Sequence, residues 1–98
     1  MDSFEDLLFG LFNNNRELSD VVGRDTIGDY IVDTCYTVDQ GYETAVWVEG
    51  GEIIIVQRYP NRELAEKGHK VWCVACLTNP EKVYSIQTDR YESFYEGI

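Results

Sequence analysis

Two adjacent glycines, Gly50 and Gly51, stand between two runs of eight residues that both read as β-strands. The first is Tyr42-Glu43-Thr44-Ala45-Val46-Trp47-Val48-Glu49, and the second is Glu52-Ile53-Ile54-Ile55-Val56-Gln57-Arg58-Tyr59. Both are rich in β-branched and aromatic side chains, which suit a pleated, half-buried surface. Glycine tolerates positive φ at both corners of a two-residue turn, so the spacing predicts a tight antiparallel hairpin. Such a turn would pair Glu49 with Glu52, Trp47 with Ile54, Ala45 with Val56 and Glu43 with Arg58 on one face. The other face would join Val48 to Ile53, Val46 to Ile55, Thr44 to Gln57 and Tyr42 to Tyr59. Apolar then meets apolar, and Glu43 meets an opposite charge.

The neighbouring segments extend this hairpin into a small α+β fold. Tyr30 to Thr37 has the same β-rich composition and joins the hairpin through Val38-Asp39-Gln40-Gly41. Beyond Tyr59, Pro60-Asn61 opens a helix with Asn61 as N-cap and Glu63 in the first turn. Leu64, Gly68, Val71, Trp72 and Ala75 form its expected buried stripe, and Glu63–Lys67 and Glu66–Lys70 are i, i+4 charge pairs. Gly68, unfavourable inside a helix, implies a close approach of helix to sheet. Asn79-Pro80 stops the helix, and Lys82 to Thr88 reads as a fourth strand at an edge. The fold class expected is therefore α+β: an antiparallel meander of three to four strands with one amphipathic helix packed on it, plus a short N-terminal helix.

That N-terminal helix is predicted over Ser3 to Phe12, where Phe4, Leu7, Leu8, Leu11 and Phe12 recur at helical spacing and Phe9 adds apolar surface off the stripe. Residues 13–29 are polar and read as a linker, with a short strand or turn around Leu18 to Val22 as the alternative. The expected organisation is a helix and linker over residues 1–29 and an α+β core over 30–98. The apolar helix, marginal alone, must dock on something, which makes Phe4, Leu7, Leu8, Phe9, Leu11 and Phe12 candidate interface residues for self-association or partner docking.

Charge narrows the partners. Eight basic and eighteen acidic residues leave a formal charge of −10 in 98 residues. This field repels phosphate backbones and anionic lipid, and it attracts a basic protein surface or a cation. No apolar run approaches the ~20 residues of a membrane span, and the N-terminus lacks a signal peptide's basic start. Three cysteines, an odd number, fit a reducing compartment, so the expected location is cytoplasmic.

Three groups of residues have the chemistry for a site. Cys35, His69, Cys73 and Cys76 have the donor types of a zinc site, with His69, Cys73 and Cys76 at i, i+4 and i+7 of the helix. Buried packing of small cysteines accounts for the same residues. Asp33, Asp39 and Glu43 could converge on a hard cation, although Asp39 with Gly41 is also ordinary turn chemistry and Glu43 is already matched to Arg58. His69, the single histidine, could act with Asp33 and Glu43 in a ligand-binding or catalytic pocket, or serve as a satisfied boundary residue. No phosphate loop, H-E-x-x-H or G-x-S-x-G motif occurs. The expectation is a non-enzymatic protein without a cofactor.

The pattern Asp33-Thr34 … Thr37-x-Asp39-x-Gly41-Tyr42-Glu43-Thr44-Ala45, followed by Arg58-Tyr59 … Glu63-x-Ala65-Glu66-x-Gly68-His69-x-x-Trp72, resembles a family of small bacteriophage and prophage accessory proteins. The resemblance spans roughly Val32 to Trp72. It implies that Asp33, Thr34, Glu43, Thr44 and His69 share a polar network between helix and sheet. It implies no established activity. The expectation drawn from the acidic charge and the apolar N-terminal helix is a phage-like accessory protein of the host-cell cytoplasm that acts by binding, sequestering or inhibiting a host factor with a basic surface, or a small ligand.

Overall fold

The computed structural model describes residues 20–95, and all that follows concerns these. Four strands, β1 (Asp20–Ile27), β2 (Tyr30–Thr37), β3 (Gly41–Val48) and β4 (Ile54–Tyr59), form an antiparallel meander in the order β1-β2-β3-β4. Helix α1 (Arg62–Cys76) packs across one face, and β5 (Lys82–Ser85) pairs with β6 (Arg90–Ser93) in a separate two-stranded sheet. The α+β class and the meander with one helix on it are as expected. The N-terminal helix and its candidate interface residues lie outside the described residues. No described helix is long and apolar enough to cross a membrane.

The fourth strand of the main sheet is β1, not the segment after the helix. Residues 20–27, expected as linker, pair with β2 from Asp20↔Tyr36 to Ile27↔Tyr30. Its sequence is polar because the strand lies at the sheet edge, where charged side chains face water and block pairing with other chains. Lys82–Ser85 instead turns back on β6 through a loop in which the Asp89 amide donates to the Ser85 carbonyl at 2.9 Å. One backbone bond, Ile86 N–H to the Ile55 carbonyl at 3.0 Å, ties this small hairpin to β4.

The β3–β4 register is half as expected. Tyr42↔Tyr59, Glu43↔Arg58 and Thr44↔Gln57 pair as alternation requires, but Ala45 then meets Ile55 and Val46 meets Ile54. The expected pairing of Trp47 with Ile54 is therefore corrected by one residue. A bulge at Val56 absorbs the slip and keeps both Ile54 and Val56 in the core beside Val46 and Val48. The connection is also longer than two residues. The Gly51 amide donates to the Val48 carbonyl at 2.9 Å, closing a β-turn in which Gly50 takes a φ of 85°. Gly51 also lets the backbone of Phe94 approach, since a Cβ there would stand 2.3 Å from the Phe94 carbonyl oxygen.

Helix α1 begins as expected, with the Asn61 side chain accepting from the Leu64 amide at 2.9 Å. Its inward face is rotated from the expected stripe. Ala65, His69 and Cys76 are buried, whereas Leu64 and Val71 face solvent. The sheet beneath explains the choice, because its upper half offers hydroxyls to His69 rather than an apolar floor to Val71. Below them, Tyr30, Val32, Val46, Val48, Ile54, Val56, Cys76 and Phe94 form the apolar core, with Trp72 and Cys73 against it. The Tyr30 and Phe94 rings meet edge to face at 5.1 Å, and the Tyr30 hydroxyl donates to the Pro80 carbonyl.

Candidate functional site

Strand alternation sorts the candidate residues onto two faces. Thr34 and Thr44 are cross-strand partners and point toward the helix. Asp33, Cys35 and Glu43, one position away, point to the opposite face. The structure therefore brings Thr34, Thr44 and His69 together and sends Asp33 and Glu43 elsewhere. The expected five-residue network is corrected to three of its members. No common pocket of Asp33, Glu43 and His69 forms among the described residues, because the sheet stands between them.

The network that does form is longer than expected. His69 Nε2 lies 2.7 Å from Asp25 Oδ2, and His69 Nδ1 lies 2.7 Å from Thr34 Oγ1. Thr34 Oγ1 is 2.6 Å from Thr44 Oγ1, and Thr44 Oγ1 is 2.9 Å from the Tyr59 hydroxyl. Tyr59 donates weakly to Gln57 Oε1 at 3.4 Å, and Trp72 Nε1–H donates to the same oxygen at 2.8 Å. Six side chains thus run from Asp25 on β1 through α1 to Gln57 on β4, with Trp72 at the end. Two glycines make the space. A Cβ at position 23 would lie 2.9 Å from His69 Nε2, and one at position 68 would lie 2.3 Å from the Tyr59 ring.

The chemistry of the relay follows from its ends. The indole N–H can only donate, so the Gln57 atom facing it is an oxygen and an acceptor. The three hydroxyls each donate and accept, so the relay can run in either direction. With hydrogen on Nδ1, His69 donates to Thr34, and the sequence Thr34, Thr44, Tyr59 ends on Gln57. With hydrogen on Nε2 only, His69 donates to Asp25 and the hydroxyls point the other way, from Tyr59 toward Nδ1. The second direction satisfies every buried group with a neutral imidazole, whereas the first also needs a hydrogen on Nε2, because the Asp25 carboxylate 2.7 Å away can only accept. Burial raises the Tyr59 phenol above its ordinary value, so it stays protonated and able to donate.

Thr34 and Thr44 have no exposed surface, and His69 is 6% exposed. A hydroxyl in that position cannot meet a substrate, so the Asp25–His69–Thr34 alignment is not an acyl-transfer triad. Both ends open to solvent: Gln57 is exposed at one, and at the other the Asp25 side chain is 56% exposed beside the nearly buried His69. Cys73 lies beside it, its Sγ 3.9 Å from Asp25 Oδ2. Burial, and then the Asp25 carboxylate, push the Cys73 thiol up from its ordinary value.

The four expected zinc donors do not converge. Cys35 is on the far face of the sheet and Cys76 is in the apolar core, where burial pushes its thiol up to about 11. Only His69 and Cys73 meet, and their third neighbour is Asp25, which residue type and spacing alone did not single out. The period-2 spacing Gly23-x-Asp25 puts both residues on the face of β1 under His69, a signal visible only once that segment is read as a strand.

On the far face, Glu43 pairs with Arg58 at 3.4 Å as expected, and Asp33 pairs with Arg24 at 3.3 Å. Asp39, Glu43 and Arg58 do gather, together with Gln40, Ile55 and Gln87, around a pocket of about 100 Å³. Asp39 and Glu43 thus share that pocket with a guanidinium, and Asp33 is not among its lining residues. Comparison of the chain with protein-family models, with characterised proteins and with solved structures finds no match.

Proposed function

We propose that this chain is a non-enzymatic binding protein of the phage accessory kind, whose partner is a host protein with a basic docking surface. The observation that carries this reading is an apolar strip on the outward side of α1. Val71 and Val74 on the last turns of the helix and Leu77 at its C-cap are 65%, 63% and 68% exposed, while Ala65, His69 and Cys76 of the same helix are buried against the sheet. Leu64 continues the strip toward the N-terminus of the helix at 43% exposed. Exposed apolar groups aligned along a helix cost solubility and are characteristic of surfaces that dock on a partner. The formal charge of −10 supports a basic partner, since it would steer such a surface inward from a distance and repel nucleic acid. The sealed Thr34 and Thr44 hydroxyls support binding over catalysis.

The test is affinity capture from a bacterial lysate with the wild-type chain and with a Val71→Glu, Val74→Glu double variant, at low and high salt. The reading requires a basic protein that the wild type retains, that salt weakens and that the variant loses. Identical capture by both forms would refute it. Sedimentation of the purified chain distinguishes a second copy on the same strip, because self-association there would vanish in the double variant without any lysate.

A further inference from the structure

Asp25, His69 and Cys73 bring three different metal-ligating atoms to the β1 end of the relay. A carboxylate oxygen, an imidazole nitrogen and a thiol sulfur all lie within 4.8 Å of one another. His69 and Cys73 are one helical turn apart on α1, and Asp25 reaches them from β1. We propose that these three side chains form a zinc-binding site with a fourth coordination position open to solvent.

The distances fit with small movements. Tetrahedral zinc, with bonds of ~2.0 Å to nitrogen and oxygen and ~2.3 Å to sulfur, sets its ligand atoms roughly 3.3–3.6 Å apart. Asp25 Oδ2 is now 2.7 Å from His69 Nε2 and 3.9 Å from Cys73 Sγ. On the bond lengths of a zinc centre, the carboxylate must withdraw from the ring by about half an ångström, and the sulfur must approach the carboxylate by about 0.4 Å and the ring nitrogen by up to about 1.3 Å. Asp25 is half exposed and Cys73 is partly exposed, so side-chain rotation supplies both shifts. The donor set selects the metal class. Calcium and magnesium favour all-oxygen shells, whereas a mixed imidazole, thiolate and carboxylate set suits zinc. Three protein ligands leave one position for water or an added ligand.

The relay behind His69 provides the orientation that such a ligand needs. Nε2 can bind metal only with its lone pair free, which places the hydrogen on Nδ1, and that hydrogen needs an acceptor. Thr34 Oγ1 at 2.7 Å is that acceptor, and Thr44, Tyr59 and Gln57 pass the requirement on to an oxygen whose identity Trp72 fixes. The buried part of the network therefore already accommodates the metal-binding tautomer. Cys73 holds its proton in the metal-free protein, since burial and Asp25 both raise its thiol, and zinc displaces that proton on binding.

The test uses the full chain, stripped with a chelator and titrated with Zn²⁺ alone, with Co²⁺ as a spectroscopic substitute. One zinc per chain is expected, and cobalt should show thiolate-to-metal charge-transfer absorption together with the strong visible bands of tetrahedral coordination. Cys73→Ser should abolish the charge-transfer band and weaken zinc binding at least ~100-fold, and Asp25→Asn should weaken it ~10-fold, because each removes a direct ligand at a partly exposed position. Thr34→Val removes no ligand but deprives Nδ1 of its acceptor, and should cost 10- to 100-fold in affinity, roughly the effect of losing an outer-shell partner, with the charge-transfer band retained. Absence of saturable zinc binding by the wild type would overturn the assignment, as would a charge-transfer band that survives Cys73→Ser.

Discussion

Gly68 and Tyr59 are in contact so close that a single methyl group cannot come between them: a Cβ at position 68 would lie 2.3 Å from the Tyr59 hydroxyl and ring edge. Two effects oppose each other at this position. Alanine is favoured over glycine inside a helix by about 1 kcal/mol, whereas forcing a methyl into a filled contact costs about 1–3 kcal/mol. Tyr59 cannot swing aside without leaving Thr44, so the steric cost should win. Gly68→Ala is expected to lower stability by up to about 2 kcal/mol, the balance of those two effects, as read from urea denaturation. Combining it with Tyr59→Phe does not relieve the clash, because the ring remains, whereas Tyr59→Ala does.

The hydroxyl relay makes Thr34 more sensitive to chemistry than to shape. Valine has nearly the volume of threonine but would leave His69 Nδ1 and Thr44 Oγ1 short of a partner in a buried setting. Thr34→Val should destabilise by about 1–3 kcal/mol, the usual cost of an unmet buried polar group. Thr34→Ser keeps the oxygen and should cost less than half as much. Equal losses in both, measured by chemical denaturation, would show that packing and not hydrogen bonding matters at this position.

The orientation of α1 can be tested by a pair of substitutions. Val71 projects to solvent and Ala65 has no exposed surface. Val71→Glu should change stability by no more than about 0.5 kcal/mol, as surface substitutions do. Ala65→Leu should lose about 1–3 kcal/mol through overpacking against the sheet. The reverse pattern in thermal melts would restore the helix face expected from hydropathy alone.

High pH should unfold the protein through two buried acids. Burial raises the Cys76 thiol from 9.0 to about 11, and burial, reinforced by Tyr95, raises the Tyr30 phenol from 10.0 to about 12. Both groups are neutral and fully compatible with the fold below their unfolded values. Once the pH passes 9.0 the unfolded chain releases the Cys76 proton while the folded thiol retains it, so stability falls until about 11. Tyr30 extends the fall from 10.0 to about 12. The denaturation midpoint should be insensitive to these groups up to pH 9 and then decline. Cys76 alone should account for roughly 2–3 kcal/mol by pH 11, on the usual free energy per unit of pKa. Cys76→Ala should flatten the first part of that decline.

Much of the main sheet was legible from residue type and spacing. Tyr30–Thr37 is a strand with the predicted bounds, and the Tyr42, Glu43 and Thr44 pairings follow from alternation and charge. Asn61 caps the helix as its side chain requires. These are local properties, set by backbone preference and by neighbours two to four residues away. Strand β1 escaped because an edge strand need not be apolar, and its polar, glycine-bearing sequence has the composition of a linker. The bulge at Val56 escaped for a related reason: it preserves apolar pairing on either side, so no alternation pattern reveals it.

By itself, then, the order of residues determined the three central strands, the helix after them, the antiparallel hairpin and a place for His69 beside the sheet, because hydrogen-bonding capacity and hydrophobic period are carried residue by residue. Tertiary structure alone decided that α1 turns His69 inward and Val71 outward, and that Asp25 and Cys73 meet at its ring. That outcome depends on which polar groups of two distant strands lie beneath one turn of helix. The energy of a buried imidazole is set by those partners, which are 35 and 44 positions away along the chain.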